Sequence, residues 1–214
     1  MKRWRLLLAD DHDIVLAGLR QVLDQPDFEI VESVKDGHAL VKAAAELRPD
    51  VIVADVTMPL LNGIDAARQI RSVNTRVKII FLTMHPDVGY ATEALSLGAC
   101  GYVLKSSVVD ELPSAIRDVM RGHTYVARAI REPVMIALHG PGHNREAASS
   151  RRLTFRQREV LQMLAEGRSA KEIAHQLNVT KGTVEFHKNR IKEQLGVRTM
   201  AELARYAVKS GLVT

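Results

Sequence analysis

The first half of the chain alternates five times between a short apolar run and a segment whose apolar residues recur at helical spacing. Short β-branched runs are typical of strands buried on both faces, and their alternation with helices is typical of a parallel sheet covered by helices. The five runs lie at residues 5–9, 28–34, 51–54, 78–82 and 101–104. The pattern predicts an α/β doubly wound domain with a five-stranded parallel sheet in the order 2-1-3-4-5.

Residues that carry a charge or a hydroxyl group stand at the ends of four of these runs. Asp10 and Asp11 follow the first run, Asp55 the third, Thr83 the fourth and Lys105 the fifth. Because parallel strands share one direction, these residues are expected at the same edge of the sheet. In the predicted order the first and third strands flank the crevice where the order reverses, so three carboxylates are predicted to converge there.

Carboxylates that converge raise one another's pKa unless a cation neutralises them. A hard divalent cation such as Mg²⁺, held by carboxylate oxygens, a backbone carbonyl and water, is the expected partner. Lys105 and Thr83 add an ammonium and a hydroxyl group, which suit a transferring phosphoryl group, and Asp55 is the candidate nucleophile. Each residue also has an ordinary structural interpretation when it is taken alone. Asp11 could cap a helix, Thr83 could fill a strand interior, and Lys105 could be a surface charge. Their occurrence at one edge favours the phosphoryl site.

This set of residues resembles the receiver domain of two-component response regulators over about residues 4–121. The resemblance rests on Asp10-Asp11, Asp55 followed by Met58-Pro59 and Gly63, Thr83, and Tyr102 with Lys105. It implies a flavodoxin-like fold in which Asp55 accepts phosphate from the phosphohistidine of a sensor histidine kinase. It also implies that Mg²⁺ is held by Asp10, Asp11, Asp55 and the backbone carbonyl of Thr57, and the phosphoryl oxygens by Thr83 and Lys105.

The same resemblance implies a regulatory role for three positions. Tyr102 matches the aromatic residue of the family's switch, which swings inward as Thr83 moves toward the phosphoryl group. Thr57 and His85 occupy positions that tune dephosphorylation in the family. His85 is interpreted as a rate modifier or a surface residue rather than a catalyst.

The remaining composition is typical of a soluble cytoplasmic protein. The apolar run at residues 6–9 is too short for the core of a signal peptide, and no stretch of the sequence approaches a membrane span. Cys100 is the single cysteine, so it cannot form an internal disulfide. Its small neighbours Ala99 and Gly101 favour a buried hydrophobic residue over a reactive thiol. No membrane partner is expected.

Charge is distributed unevenly along the chain. Residues 1–125 carry 14 Lys and Arg against 17 Asp and Glu, a net charge of −3. Residues 126–214 carry 16 against 8, a net charge of +8. An acidic half joined to a basic half suggests that the two halves have different partners, and the basic half is the candidate for nucleic-acid binding.

The strand–helix alternation stops after Gly122. A helix is predicted over residues 127–138, and the run rich in Gly and Pro that follows predicts a hinge at 139–150. His139 and His143 have no Cys or acidic residue at ligand spacing, so they are interpreted as solvated linker residues. The predicted domains are a receiver domain at 1–122, a linker with a helical segment at 123–150 and a DNA-binding domain at 151–214.

Residues 151–214 are strongly basic, with 13 Lys and Arg against 6 Asp and Glu. Helix-capping signals divide this segment into several short helices. Capping boxes are predicted at Thr154 with Gln157, Ser169 with Glu172 and Thr199 with Glu202, a further N-cap at Thr180, and C-terminal αL residues at Gly167 and Gly196. These signals predict four helices near 155–166, 170–177, 181–194 and 200–210. The second and third have helix-turn-helix spacing, so a small all-α four-helix domain is expected.

The third of these helices has an apolar stripe and an opposite polar face. The stripe contains Val184, Ile191 and Leu195, and the polar face contains Gly182, Phe186, Asn189 and Glu193. An α-helix fits the major groove, where Asn pairs with adenine, Glu accepts from cytosine and an apolar ring contacts the thymine methyl group. The predicted base contacts are Glu185, Phe186 and Asn189, and the predicted backbone contacts are Lys181, Thr183, Lys188 and Lys192. A basic helical bundle that binds protein is the alternative.

The second domain resembles the LuxR-type helix-turn-helix over about residues 152–211. The resemblance rests on the segments 153–154, 158–161, 171–174, 183–187 and 195–197. It gives His187 a helix-packing role. Glu185 stands where many family members carry Lys, which removes one attraction to phosphate. A receiver domain followed by this module is the layout of NarL/FixJ-type response regulators.

Together the two resemblances imply a phosphorylation-dependent DNA-binding regulator of bacterial transcription. Its expected partners are a sensor histidine kinase, a double-stranded DNA operator, RNA polymerase and, when the chain is phosphorylated, a second copy of it. One alternative is a constitutive DNA binder whose receiver is only a dimerisation or protein-interaction platform. Another is a phosphatase with an aspartyl-phosphate intermediate, but such enzymes usually have a second acid where this chain has Thr57. No enzyme activity is therefore expected beyond phosphorylation and dephosphorylation of Asp55 itself.

Overall fold

The structure is a computed structural model that describes residues 3–84, 86, 88–139, 153, 155–177, 179–210 and 212–213. Two hydrophobic clusters lie on opposite faces of a β-sheet in the first domain, and a third lies inside the second domain. Several expectations fall outside the described residues, namely those for His85, His143, Thr154 and nearly all of the hinge at 139–150. None of the described helices is both long and apolar enough to cross a lipid bilayer.

The sheet of the first domain has six parallel strands. They are β1 (Trp4–Ala9), β2 (Phe28–Val34), β3 (Val51–Asp55), β4 (Lys78–Thr83), β5 (Gly101–Leu104) and β6 (Tyr125–Val126). Their order is β2-β1-β3-β4-β5-β6, so the predicted order of the first five strands is confirmed. The predicted number of five is wrong, because β6 pairs with β5 at the edge. A strand of two residues is too short to produce a recognisable alternation in sequence.

Helices cover both faces of this sheet. The helices that follow the first five strands are α1 (Asp13–Val22), α2 (Gly37–Leu47), α3 (Gly63–Val73), α4 (Val88–Ser96) and α5 (Val108–Met120). Leu7 and Ile52 pack in the cluster that contains residues of α2, α3 and α4. Leu6 and Val53 pack in the cluster that contains residues of α1 and α5. Neighbouring strand residues therefore face opposite sides, as the two-residue period of a strand requires.

The core of the first domain extends past Gly122. After β6 come a 3₁₀ turn (Arg128–Ile130) and helix α6 (Arg131–His139). Ala127, Ile130 and Val134 are buried in the same cluster as residues of α4. The segment interpreted from the sequence as the beginning of a linker therefore contributes to the receiver core, because its apolar residues pack beside α4.

The described part of the second domain contains four helices. They are α7 (Phe155–Ala165), α8 (Ala170–Gln176), α9 (Lys181–Leu195) and α10 (Met200–Lys209). The predicted capping boxes at Ser169 and Thr199 are present, and the Thr180 side chain caps α9. Gly196 ends α9 with φ of 67°, in the left-handed region that glycine adopts without strain. The capping signals thus predicted the helix boundaries well.

Candidate phosphoacceptor and metal site

The carboxylates of Asp10, Asp11 and Asp55 converge at the carboxyl edge of the sheet. One oxygen atom from each, together with one ring nitrogen of His12, all lie within 4.8 Å of one another. Asp10 and Asp55 are buried, with exposed fractions of 0% and 5%, whereas Asp11 and His12 are exposed. The predicted convergence of three carboxylates is therefore present, and the cluster has one open side.

Strand pairing and a close helix approach place Asp55 in this cluster. Ala54 of β3 pairs with Ala9 of β1, so the residues that follow, Asp55 and Asp10, emerge side by side. Helix α3 begins against the chain at this point, where a Cβ atom on Gly63 would lie only 2.0 Å from the carbonyl oxygen of Asp55. Only glycine permits this approach, so Gly63 fixes the path of the chain behind the carboxylate.

Lys105 lies between the two buried carboxylates. Its Nζ atom is 2.6 Å from Oδ2 of Asp10 and 2.8 Å from Oδ2 of Asp55. Burial lowers the pKa of Lys105, but its hydrogen bonds to Asp10 and Asp55 outweigh burial, so the pKa is raised. Burial raises the pKa of Asp55, and the Lys105 ammonium opposes that rise. One ammonium faces two carboxylates, so the buried site has excess negative charge that a cation would neutralise.

Two further residues predicted for the site, Thr83 and Thr57, lie at the same edge, whereas Tyr102 lies within a strand, two residues before its end. Thr83 is the last residue of β4, the strand beside β3, and is buried. Tyr102, on β5, is fully buried, so its ring lies inside the fold. The backbone N–H of Thr57 donates to Oδ1 of Asp55 at 3.2 Å, which ties the loop after β3 to the candidate acceptor.

His12 is a potential ligand that the sequence pattern did not indicate. Its Nδ1 atom lies 2.9 Å from Oδ1 of Asp11 and 3.1 Å from Oδ1 of Asp10. The available signal was a histidine directly after the acid pair, but this residue precedes α1 and is not itself at a strand end. Carboxylate oxygens suit a hard divalent cation, and an imidazole nitrogen also suits transition metals. The donor set therefore fits a divalent metal ion.

Helix α9 turns its apolar stripe inward and its predicted reading face outward. Val184 and Ile191 are fully buried, whereas Phe186 is 59% exposed and Asn189 is exposed. The guanidinium group of Arg190 lies 6.0 Å from the centre of the Phe186 ring, which places positive charge beside an aromatic surface. The predicted division of this helix into a core face and a solvent face is confirmed.

The lysines predicted to contact phosphate differ in their surroundings. Lys181 is exposed at the start of α9. Lys188 forms an ion pair with Glu185, a predicted base contact, and Lys192 donates from Nζ to the backbone carbonyl of Arg198 at 2.9 Å. Lys188 and Lys192 therefore have intramolecular partners that a phosphate group would have to replace.

Two other residues of α9 have local partners. The hydroxyl oxygens of Thr183 and Thr180 lie 2.9 Å apart at the start of the helix. His187 is half-buried and its ring meets the Phe186 ring edge-on, with centroids 5.7 Å apart. Burial lowers the pKa of His187, and the charge of Arg156 lowers it further. The ring contact of His187 is with its neighbour on the same helix, so the helix-packing role expected for His187 stays a prediction.

The fold and the site together define a receiver domain followed by a helix-turn-helix domain. Family models match both parts: residues 6–117 match the response regulator receiver domain, and residues 151–207 match the bacterial regulatory proteins of the luxR family. The chain therefore belongs to the two-component response regulators of NarL/FixJ type, which regulate transcription through a LuxR-type DNA-binding domain.

Similarity to known proteins extends across both domains. The transcriptional regulatory protein MctR of Rhizobium johnstonii is 36% identical over 211 residues, which cover 98% of this chain and 95% of MctR. The transcriptional regulatory protein LiaR of Bacillus subtilis is 37% identical over 210 residues, which cover 98% of this chain and 99% of LiaR. A structure of the Salmonella typhimurium response regulator RcsB aligns over 100% of both chains, with a TM-score of 0.67 and 30% identity. An RcsB–DNA complex also aligns over 100% of both chains, with a TM-score of 0.60 and 28% identity.

Proposed function

We propose that this chain is a phosphorylation-dependent transcription regulator in which Asp55 accepts a phosphoryl group from a sensor histidine kinase. The observation that carries the proposal is the contact of one ammonium group, that of Lys105, with both Asp10 and Asp55 beside the exposed Asp11. A carboxylate held in this way is positioned as a nucleophile. The charges around it suit an incoming phosphoryl group.

In the proposed transfer, a carboxylate oxygen of Asp55 attacks the phosphorus atom of phosphohistidine. The P–N bond breaks while the P–O bond of an acyl phosphate forms, and the donor imidazole leaves. Lys105 and Thr83 bind oxygens of the transferred phosphoryl group. Mg²⁺, held by Asp10, Asp11, Asp55 and the Thr57 carbonyl, supplies charge neutralisation when it is bound.

The phosphorylated site is proposed to act through a two-state switch. Thr83 approaches the phosphoryl group, and Tyr102 occupies the interior of the domain in the same state. The complete burial of Tyr102 supports this proposal, because an inward ring is one of the two positions that the switch requires. Hydrolysis of the acyl phosphate resets the site at a rate tuned by Thr57 and His85. The chain is therefore proposed to be a phosphoacceptor and not an enzyme with other substrates.

An apolar cavity beside the site supports a protein phosphodonor. The cavity measures about 370 Å³ and is lined by residues of α1, the start of α5, Met84 and Lys105. Met84 and Val109, which both line it, are 68% and 72% exposed. Exposed apolar side chains clustered at a functional site mark an interaction surface. We propose that the kinase domain that carries the phosphohistidine docks here.

The exposed face of α9 supports binding of double-stranded operator DNA. The proposed base contacts are Glu185, Phe186 and Asn189, and the proposed backbone contacts are Lys181, Thr183, Lys188 and Lys192. The relative RcsB has been solved as dimers bound to DNA. This chain is proposed to dimerise when phosphorylated, so that two copies of α9 read half-sites about one helical turn apart. RNA polymerase is the proposed partner of the DNA-bound form.

DNA binding with and without phosphorylation tests the proposed function. Wild-type and Asp55→Asn chains are compared on DNA selected from a random-sequence pool, before and after treatment with acetyl phosphate and Mg²⁺. The affinity of the wild type is expected to rise after treatment, and that of the variant to stay constant. Equal affinity of treated and untreated wild type would favour a constitutive DNA binder whose receiver is only a dimerisation platform.

A further inference from the structure

Glu185 is an acidic residue in the middle of the basic flank of α9. Lys181 precedes it by four residues, Lys188 follows it by three and Lys192 by seven. Residues at these spacings lie along one side of a helix, so Glu185 shares a row with the three lysines, called the lysine row below. A carboxylate within this row opposes the attraction that the lysines exert on a phosphate backbone.

Glu185 directly engages one member of the lysine row. Nζ of Lys188 lies 2.5 Å from Oε2 of Glu185, and these two side chains are 23% and 38% exposed. Lys192 instead donates to a neutral backbone carbonyl, that of Arg198. A partly buried ion pair is screened less by water and salt than an exposed pair. A phosphate group therefore competes with a negative charge for Lys188, but only with a neutral dipole for Lys192.

A second ion pair on α9 has different surroundings. Nη1 of Arg190 lies 3.6 Å from Oε2 of Glu193, and these side chains are 63% and 70% exposed. Glu193 lies in the last turn of α9, whereas Glu185 lies in the second turn. In helix-turn-helix domains the N-terminal residues of the recognition helix contact base edges. The position of Glu185 therefore suits contact with a base, and that of Glu193 does not.

Glu185 stands at the boundary between the lysine row and the reading face. With about 100° between successive residues, Asn189 lies about 40° to one side of Glu185 and Lys188 about 60° to the other. Asn189 is exposed on the reading face, whereas Lys188 is half-buried on the flank. The Glu185 carboxylate therefore has two neighbouring positions, one beside Lys188 and one beside the base-reading residues.

One base suits a carboxylate better than the other three in the major groove. Cytosine presents only a donor there, its N4 amino group, whereas guanine presents two acceptors and thymine an acceptor and a methyl group. Adenine also presents an amino group, but its N7 acceptor lies beside it and would face the second carboxylate oxygen. A carboxylate thus gains a charge-assisted hydrogen bond at cytosine and is repelled or left unpaired at the other bases.

We propose that Glu185 is a cytosine selector, whose carboxylate keeps Lys188 engaged until it meets the amino group of a cytosine in the operator. The proposal rests on the proposed DNA binding by α9 and names the base that Glu185 reads. At cytosine the amino group takes the place of Lys188, and the lysine becomes available to a phosphate. At any other base the ion pair stays closed. Specificity therefore rises because DNA without that cytosine is bound more weakly.

The base preference of a Glu185→Gln chain tests the cytosine selector. Full-length wild type and variant, both treated with acetyl phosphate and Mg²⁺, are each used to select DNA from a random-sequence pool and to bind unrelated DNA. Glutamine keeps the size of the side chain, frees Lys188 and pairs with adenine. The preference at one position is expected to move from cytosine to adenine by about fivefold or more. Affinity for unrelated DNA is expected to rise about fivefold or more, because one more lysine binds phosphate.

Glu193→Gln is the matched control. It removes the same charge from the same helix and frees Arg190 from a comparable ion pair. This variant is expected to select the same operator as the wild type. Equal base preferences of the wild type and Glu185→Gln, or the same change of preference in Glu193→Gln, would overturn the cytosine selector.

Salt dependence tests whether Lys188 is the lysine that is released. The slope of log affinity for unrelated DNA against log salt concentration is expected to steepen by about 1 in Glu185→Gln. In a Lys188→Ala background the same substitution is expected to leave the slope unchanged. An equal steepening in that background would show that the carboxylate acts without Lys188, and would overturn the proposal.

Lysine acetylation read by mass spectrometry separates failure of the cytosine selector from failure of the proposed function. Unrelated DNA is expected to protect the exposed Lys181 in both chains, but Lys188 only in Glu185→Gln. If both lysines were protected equally in the two chains, the selector would fail while the proposed DNA binding stood. If neither chain selected an operator and neither lysine were protected, the proposed DNA binding would fail and the selector with it.

Discussion

The Lys105 ammonium group lies 2.8 Å from Oδ2 of Asp55, across the sheet edge from the end of β5 to the end of β3. The same ammonium group contacts Asp10 on β1's side of the crevice. One positive charge therefore stabilises two buried carboxylates and holds the candidate nucleophile in place. The proposed phosphoryl acceptance and the proposed metal binding both involve the surroundings of this contact.

Removing the positive charge of Lys105 is expected to lower stability. Lys105→Met keeps an unbranched apolar side chain but leaves Asp10 and Asp55 buried without their ammonium partner. Loss of one partner of a buried ion pair costs about 3–5 kcal/mol, so the free energy of unfolding in Mg²⁺-free buffer is expected to fall by about 3 kcal/mol. Urea denaturation measures this change. Lys35→Met is the control, since Lys35 pairs with Asp13 at the exposed surface, and an unchanged midpoint in Lys105→Met would contradict the expectation.

A methyl group at Gly63 is expected to displace α3 from the acceptor strand. The Cβ atom of Gly63→Ala would lie 2.0 Å from the Asp55 carbonyl oxygen, which is far inside contact distance. Stability is expected to fall by about 2 kcal/mol or more, and labelling by acetyl phosphate to slow. Gly18→Ala is the control, because nothing lies within 4 Å of its Cβ position on α1, and it is expected to gain about 1 kcal/mol. Equal effects of the two substitutions would refute the role given to Gly63.

The two kinds of proposed DNA contact are expected to respond differently to substitution. Asn189→Ala should lose about 1–3 kcal/mol of binding free energy at one base-pair position and relax specificity there. Lys181→Ala should weaken binding to all sequences and reduce the slope of affinity against salt by about 1. Binding isotherms at several salt concentrations measure both effects. Lys209→Ala, an exposed lysine on α10, should change neither, and a base-specific loss in Lys181→Ala would contradict the assignment.

Tyr125 is expected to make stability depend on alkaline pH. Burial, followed by its hydrogen bond to Glu111, raises the pKa of Tyr125 to about 12. The folded state therefore holds the phenol proton more tightly than the unfolded state, in which the pKa is about 10. The contribution is fully present below about pH 10 and is lost as pH rises to about 12, where the free energy of unfolding has fallen by about 2 kcal/mol. Tyr125→Phe should flatten this part of the stability curve, whereas Tyr206→Phe should retain the full decline.

The acidic edge could be predicted from the sequence because its residues follow a local rule. Asp10, Asp55 and Lys105 each stand at or directly after the end of an apolar run, and parallel strands end at one edge. The same rule does not identify His12, because this residue lies in the turn before α1 and not at the end of a strand. The capping of α8 and α10 was predictable for a similar reason, since a capping box is contained within four consecutive residues.

Features that depend on contacts between distant segments could not be predicted in this way. The contact of Asp65 with Arg158 joins α3 to α7, and each residue alone resembles an ordinary surface charge in the sequence. Gln162 likewise carries no local signal, because its partners Met58 and Asn62 belong to the other domain. The docking of the domains is therefore a property of the tertiary structure and has no counterpart in sequence periodicity.

Mass spectrometry of the full chain after incubation with acetyl phosphate and Mg²⁺ tests the central claim most directly. One added phosphoryl group is expected, on the peptide that contains Asp55, and it should be absent when Mg²⁺ is chelated and in Asp55→Asn. Asp24→Asn, which alters an exposed acid outside the site, should label like the wild type. Undiminished labelling of Asp55→Asn, or a phosphoryl group on a different residue, would contradict the assignment of Asp55 as the acceptor.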